Sequence, residues 1–66
     1  MENHYRIRYT APSRPWRHAR TVYLGGSMIA AQIYLTTSCN RRGRYRLEET
    51  HYWTMETKII ERRVNT

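Results

Sequence analysis

The sequence has few of the residues that stabilise or anchor small proteins. Cys39 is its one cysteine, which excludes an intramolecular disulfide and a zinc site built from several cysteines. That scarcity indicates a reducing compartment. Polar residues follow Met1 directly, and no apolar run reaches the length of a signal peptide or of a membrane-spanning helix. We therefore predict a cytoplasmic protein without membrane contact.

The sequence also lacks the common catalytic motifs. Its three histidines are scattered, and no HExxH, CxxC, GxSxG or phosphate-loop pattern occurs. We therefore predict no catalytic residue, no metal site and no cofactor, and a protein that is not an enzyme. An alternative stays open, a small toxin-like ribonuclease with His51, beside Tyr52, as its acid–base.

Acidic residues are scarce, whereas arginine is abundant. Eleven arginines and one lysine stand against five glutamates and no aspartate, which gives a net charge of +7. Nine of the arginines lie in residues 1–46, where Glu2 is the only acid. Because the chain's own acids cannot neutralise these charges, we predict contact with phosphates or with an acidic protein surface. Arginine suits bidentate recognition of such groups.

The short length of the chain limits its stability and makes stabilisation by a partner relevant. We interpret its 66 residues as one small domain, 1–66. A domain of this size buries only about 60% of its unfolded surface, so it is marginally stable alone. Formation of a homodimer, or docking on a larger partner, would add stability.

Alternating apolar and polar residues predict the strands. In residues 4–10, Tyr5, Ile7 and Tyr9 face one side of the sheet. Further strands are predicted at 21–24, 44–53 and 57–64, with Tyr45 and Leu47 facing inward and a turn near 54–56. In the last strand, strict alternation puts Ile60, Arg62 and Val64 opposite Ile59, Glu61 and Arg63.

One helix is predicted between the glycine pair 25–26 and the reversal at 40–43. Ser27 is suited to cap its first turn, and residues 28–38 contain neither glycine nor proline. One stripe consists of Met28, Ala31, Leu35 and Cys39, with Tyr34 at its edge; Cys39 is there a small packing residue. A second side carries Ile29, Ile33 and Ala30, and it is either exposed or covered by a partner. Together the elements predict an α+β fold: a small antiparallel sheet of three to four strands with one helix packed on one face, in the order β-(β)-α-β-β.

The sheet face away from the helix is the first candidate binding surface. It is predicted to carry Arg6, Arg8, Arg44, Arg46 and Tyr52, with Arg41 and Arg42 at its end. Arginine interleaved with tyrosine is typical of nucleic-acid surfaces, since guanidinium groups hold phosphates and rings stack on bases. In the alternative interpretation, these arginines form cross-strand ion pairs with Glu48, Glu49, Glu56 and Glu61.

The basic loop at residues 12–20 is the second candidate. It holds Trp16 between Arg14 and Arg17. We expect either a flexible loop that inserts beside a phosphate backbone or into a protein groove, or a tryptophan that caps an open edge of the core.

The layout of the chain resembles that of small phage-encoded host-takeover proteins, among them anti-CRISPR proteins directed at multi-subunit surveillance complexes. The stretches that carry the resemblance are YRIRY (5–9), LGGSMIAAQ (24–32), GRYRLEE (43–49) and KIIERR (58–63). The resemblance implies a basic inhibitor in the host cytoplasm that docks on an RNA-guided complex. A net charge of +7 excludes the acidic DNA-mimic mechanism that many such proteins use.

The sequence thus predicts a non-enzymatic basic binding protein, in the favoured version a phage or mobile-element inhibitor of host defence. Its predicted partner is nucleic acid or a host nucleoprotein complex, engaged through arginines. A small DNA- or RNA-binding regulator is the first alternative, and a toxin-like ribonuclease the second.

Overall fold

In the computed structural model, which describes residues 2–66, four antiparallel strands form one sheet that a single helix crosses. The elements are β1 (His4–Thr10), a 3₁₀ turn (Trp16–His18), β2 (Arg20–Gly25), α1 (Met28–Thr37), β3 (Gly43–Thr50) and β4 (Thr57–Asn65). The order across the sheet is β2-β1-β3-β4. The predicted α+β fold, with its order β-β-α-β-β, is confirmed.

The central pair, β1 and β3, sets the register of the whole sheet. It runs without interruption from His4 opposite Thr50 to Thr10 opposite Arg44. The two outer pairings are each shifted by one residue, at Val22 in β2 and at Ile60 in β4. Each shift is a β-bulge, which changes the face toward which the following residues of that strand point.

The core lies between α1 and the odd-numbered residues of β1 and β3. Its buried members are Ile7, Tyr9, Ala31, Leu35, Cys39, Tyr45 and Leu47. The Ser27 hydroxyl accepts a hydrogen bond of 3.1 Å from the backbone N–H of Ala30, which caps the helix as predicted. The inward faces predicted for β1 and β3 are confirmed, and so is Cys39 as a packing residue.

The second side of α1 is exposed to solvent. Ile29 and Ile33 are 68% and 58% exposed. Met28 was predicted in one stripe with Ala31 and Leu35, but it is 39% exposed. The buried stripe therefore begins one turn later, at Ala31.

Two details of the predicted strands are wrong, the end of β3 and the alternation of the last strand. β3 ends at Thr50 and not at Trp53. His51 already begins the turn, and its backbone N–H donates a hydrogen bond of 2.9 Å to the backbone oxygen of Glu56. The strict alternation predicted for the last strand also fails at the bulge: Ile60 packs against the core, whereas Arg62 lies opposite Arg46 on the other face.

Candidate functional site

The sheet face opposite α1, called the open face below, carries four of the arginines predicted to lie there: Arg6, Arg8, Arg44 and Arg46. They alternate with the core residues along β1 and β3, and cross-strand pairing places Arg8 beside Arg46. The predicted placement of these four arginines on this face is therefore correct. Their guanidinium groups, however, contact other groups of the same chain, whereas a ligand surface needs guanidinium groups that are free.

Glu48 forms ion pairs with two of the open-face arginines. The Nε of Arg6 donates to its Oε1 at 2.7 Å, and the Nε of Arg46 lies 3.2 Å from its Oε2. The Glu48 side chain is only 5% exposed, so solvent screens these pairs less than it screens surface pairs. The cross-strand pairing expected as the alternative interpretation is thus present at Glu48.

The remaining two of these four arginines, Arg8 and Arg44, hold the loop of residues 11–19. Arg8 donates from Nη2 to the backbone carbonyl of Ala19 at 3.1 Å, and Arg44 donates to that of Arg14. Both bonds link a strand side chain to loop backbone, so they fix the loop on the open face. The loop is folded onto the sheet and is not the flexible segment that was one expectation.

Trp16 lies on this arginine layer. The guanidinium carbon of Arg46 is 3.9 Å from the centroid of its ring, and that of Arg44 is 5.3 Å away. Neither sequence expectation describes this position, because Trp16 caps arginines and not an edge of the apolar core. A cation over an indole ring is a favourable electrostatic contact, so Trp16 helps to hold the loop against the open face.

A second group of arginines has no such internal role. It lies where β1 ends, β2 begins and β3 begins, a region called the basic end below. Its members are Arg14, Arg17, Arg20, Arg41 and Arg42, all exposed. Within residues 2–66 the ion pairs are Arg6–Glu48, Arg46–Glu48 and Lys58–Glu49, so none of these five arginines contacts a carboxylate.

Three of these arginines surround an open groove. The groove has a volume of about 510 Å³ and is lined by Tyr9, Ala11, Arg14, His18, Arg20 and Arg41. The guanidinium carbons of Arg20 and Arg41 lie 5.7 and 6.0 Å from the centroid of the Tyr9 ring. Two positive charges are thereby held beside one aromatic ring, and the groove lining contains no acid.

Tyr9 gives this groove a fixed floor. Its ring is buried against Tyr45, with centroids 4.9 Å apart, and its hydroxyl donates to the backbone carbonyl of Arg42. Gly43 follows with a φ of +141°, and a Cβ there would meet the backbone oxygen of Thr10 at 2.5 Å. Only glycine therefore fits where β3 begins, and the chain that carries Arg41 and Arg42 is held close to β1.

The bulge in β2 places Arg20 in the groove. Tyr23 lies opposite Ile7 on the helix side and Thr21 opposite Arg8 on the open face, so the register skips Val22. After this skip Arg20 lies opposite Tyr9, on the helix side. Sequence reasoning counted Arg20 as a loop residue and missed it, together with Tyr9 and His18 as groove residues.

The opposite end of the sheet, called the hairpin end below, contains Tyr52. This residue was predicted on the open face, and the prediction is wrong because β3 has already ended at Thr50. Tyr52 lies in the β3–β4 turn, where its ring stacks on His51 at 5.3 Å. About 23 Å of β3 separate it from the basic end, from eight residues at about 3.3 Å per residue.

Acidic side chains collect at the hairpin end. Glu49 accepts hydrogen bonds from Tyr5 Oη at 2.7 Å and from Asn3 Nδ2 at 3.1 Å, and it pairs with Lys58. The Tyr5 hydroxyl, then Asn3 and Lys58, lower the pKa of Glu49, and the same carboxylate raises the pKa of Tyr5. Glu2 and Glu56 lie at this end too, so the sheet is acidic at one end and basic at the other.

The chemistry available at the basic end is anion binding. His18 is the one histidine in the groove, and the lining offers no carboxylate to orient it. The other histidine considered, His51, accepts the backbone N–H groups of Trp53 and Thr54 at Nδ1. Across residues 2–66, no group of three or more potential metal ligands is present.

Comparisons with protein families, with characterised proteins and with solved structures return no match. The structure contains, in residues 2–66, no helix of the length and apolarity needed to cross a membrane.

Proposed function

We propose that this protein is a non-enzymatic binding protein whose basic end engages the phosphates of nucleic acid, either free or within a nucleoprotein complex. The observation that carries the proposal is the set of five exposed arginines without an acidic partner at the basic end, three of which line one open groove. Guanidinium groups grouped in this way bind phosphate oxygens and release the counterions of the nucleic acid.

The shape of the groove supports backbone contact more than base stacking. Tyr9 is only 7% exposed, and two guanidinium groups lie beside its ring, so it offers no free face to a base. Single-strand binders need exposed aromatic platforms next to their basic residues. We therefore expect affinity for the duplex backbone, with little dependence on base sequence.

The salt dependence of duplex binding tests the proposal. Five arginine–phosphate contacts predict that log K falls against log salt with a slope of about −4 to −5. Binding of a short labelled DNA duplex, measured by fluorescence anisotropy across a salt series, gives this slope. A protein that fails to bind duplex DNA or RNA even at low salt would contradict the proposal.

A matched pair of variants separates the basic end from net charge alone. Arg41→Ser removes a groove arginine, whereas Arg62→Ser removes an exposed arginine of β4 that lies outside the groove. We expect Arg41→Ser to reduce the salt slope by about one and the low-salt affinity about tenfold. Equal losses in both variants would show that binding follows total charge and not the groove.

The more specific version, an inhibitor of host defence that docks on an RNA-guided complex, remains a proposal of the same kind. It adds a protein target to the nucleic-acid contact. Co-purification of the protein with such a complex, retained after nuclease treatment, would distinguish an inhibitor from a regulator that binds naked nucleic acid.

The second alternative is a ribonuclease, for which the sequence suggested His51 as the acid–base. His18, and not His51, lies among the groove arginines, so we expect a ribonuclease to depend on His18. Incubation of labelled RNA with the wild type and with His18→Ala is the test, and we expect no cleavage by either.

A further inference from the structure

The hairpin end exposes large apolar side chains at the tip of the β3–β4 turn, residues 52–55. Trp53 is 79% exposed and Met55 is 67% exposed, and the Tyr52 ring packs edge-on against Trp53 at 6.2 Å. Trp53 does not pack into the core of its own chain, so core packing does not explain a tryptophan at this position. Tryptophan is among the residues that contribute most to binding when a partner covers them.

The tip is held in one conformation. His51 Nδ1 accepts the backbone N–H groups of Trp53 and Thr54 at 3.2 and 3.3 Å, and Met55 N donates to His51 O at 2.8 Å. Met55 itself has a φ of +62°, a conformation that costs energy for a residue with a side chain. A preorganised tip loses little entropy when it docks, which favours binding.

Charge decides which kind of partner the tip fits. The hairpin end carries Glu2, Glu49 and Glu56, and among the described residues neither Glu2 nor Glu56 forms an ion pair. These carboxylates repel the phosphates that the basic end attracts. A surface that accepts the tip must therefore combine an apolar floor with positive charge.

This chain carries such a surface at its other end. The floor of the groove consists of Ala11 and the small exposed part of Tyr9, and its rim carries Arg14, Arg20 and Arg41. Its volume of about 510 Å³ lies within the range of about 300–1,000 Å³ that holds drug-sized ligands. Guanidinium groups are also favourable neighbours for the face of a tryptophan ring.

We propose that the hairpin tip of one copy docks in the arginine groove of a second copy, with Trp53 inserted and Glu56 beside Arg41. The contact joins two different surfaces, so it is heterologous and each copy keeps one free tip and one free groove. Such contacts continue as open chains unless their rotation closes a ring. The second copy would occupy the same groove as nucleic acid and so compete with it.

The self-docking proposal rests on the groove and the tip, and not on what else the groove binds. It is tested first by sedimentation equilibrium of the wild type over a wide range of concentration, since a contact this small is weak. We expect the average mass to rise steadily past that of a dimer, and the tryptophan emission of the protein to shift to the blue as Trp53 becomes buried. A protein that stays monomeric at the highest concentrations would overturn the proposal.

A matched pair of apolar variants locates the contact. Trp53→Ser is expected to weaken association at least about tenfold, while Ile29→Ser, which changes a similarly exposed residue of α1, leaves it unchanged. The reverse result would place the contact on the helix and overturn the proposal. Trp53→Ser should retain duplex affinity, and a loss of that affinity would also overturn it by making the tip a nucleic-acid contact.

A charge exchange provides an independent test of the pairing. Glu56→Arg and Arg41→Glu should each be monomeric alone, because each places like charges in the contact. Mixed together, the two variants restore opposite charges at every junction, so association should return. If the mixture stays monomeric while each variant is folded by circular dichroism, the pairing of tip and groove is wrong.

The outcomes separate this proposal from the proposed function. Self-association without duplex binding leaves the docking of copies intact and removes the nucleic-acid function. Duplex binding by a strictly monomeric protein does the opposite. Where both occur, adding a short duplex should dissociate the assemblies, and assemblies that persist with duplex bound would contradict the shared groove.

Discussion

On the open face, Arg6 and Arg46 share the carboxylate of Glu48 at 2.7 and 3.2 Å, whereas at the basic end Arg14, Arg20 and Arg41 surround a groove without an acid. The two regions contain the same residue type in similar numbers. On the open face, guanidinium groups bind Glu48, loop carbonyls and the Trp16 ring. At the basic end the guanidinium groups remain available to a ligand. The groups that an arginine contacts within the chain therefore determine its role.

This comparison implies that open-face changes affect stability first, while basic-end changes affect binding first. The largest expected effect on stability is that of Glu48→Gln, which leaves the guanidinium groups of Arg6 and Arg46 without their anion. We expect the free energy of unfolding to fall by about 1.5–3 kcal/mol, as measured by urea denaturation. Duplex affinity of the folded protein should not decrease.

Glu61→Gln is the matched control for that substitution. Glu61 lies on β4, is exposed, and forms no ion pair among residues 2–66. Its replacement should change the free energy of unfolding by no more than about 0.5 kcal/mol. If both glutamine variants behave alike, Glu48 does not organise the open face.

Trp16→Leu should have the next largest effect, because it removes the ring that lies 3.9 Å from the Arg46 guanidinium. We expect a loss of about 1 kcal/mol in the free energy of unfolding. The loop of residues 11–19 should also open more often, so trypsin should cleave after Arg17 faster than in the wild type. Unchanged cleavage would mean that backbone hydrogen bonds alone hold the loop.

Acidification should produce a further change at the hairpin end. Hydrogen bonds from Tyr5 and Asn3 lower the pKa of Glu49 in the folded protein. The resulting stabilisation is complete above the unfolded glutamate pKa of about 4.3 and is lost as the pH falls through the lower, folded value. Urea denaturation across this range should show the loss, and Glu49→Gln should remove that part of the pH dependence.

Arg20→Ser should have the smallest effect on stability, within about 0.5 kcal/mol, because its side chain is exposed and has no acidic partner. Its low-salt duplex affinity should nevertheless fall about tenfold. This variant and Glu48→Gln together test the comparison, since they should alter opposite properties. A large loss of stability in Arg20→Ser would assign the basic end a structural role.

Much of the fold could be predicted from the sequence because it follows from local patterns. Alternation along residues 4–10 identified the buried face of β1, and Ser27 before an apolar run marked the start of α1. These signals extend over a few residues, so one sequence is enough to detect them. The exposed side of α1 was visible in the same way, from Ile29 and Ile33.

The candidate site was less predictable because its contacts are distant in sequence. Arg44 bonds to the carbonyl of Arg14 and Arg6 pairs with Glu48, and no local pattern indicates either partner. The sequence also gives no signal for the bulges at Val22 and Ile60, since a bulge adds one residue without requiring a particular residue type. Charge counting therefore found the excess of arginine but did not show which arginines are available.

The bulge at Val22 decides which side of the sheet Arg20 faces. Because the register of β2 skips this residue, Arg20 lies on the side of Tyr9. Deletion of Val22 would leave a regular strand in which Thr21 still pairs with Arg8 and Arg20 still pairs with Tyr9. An evolving lineage could therefore lose this one codon at the sheet edge and keep the same charge facing the groove.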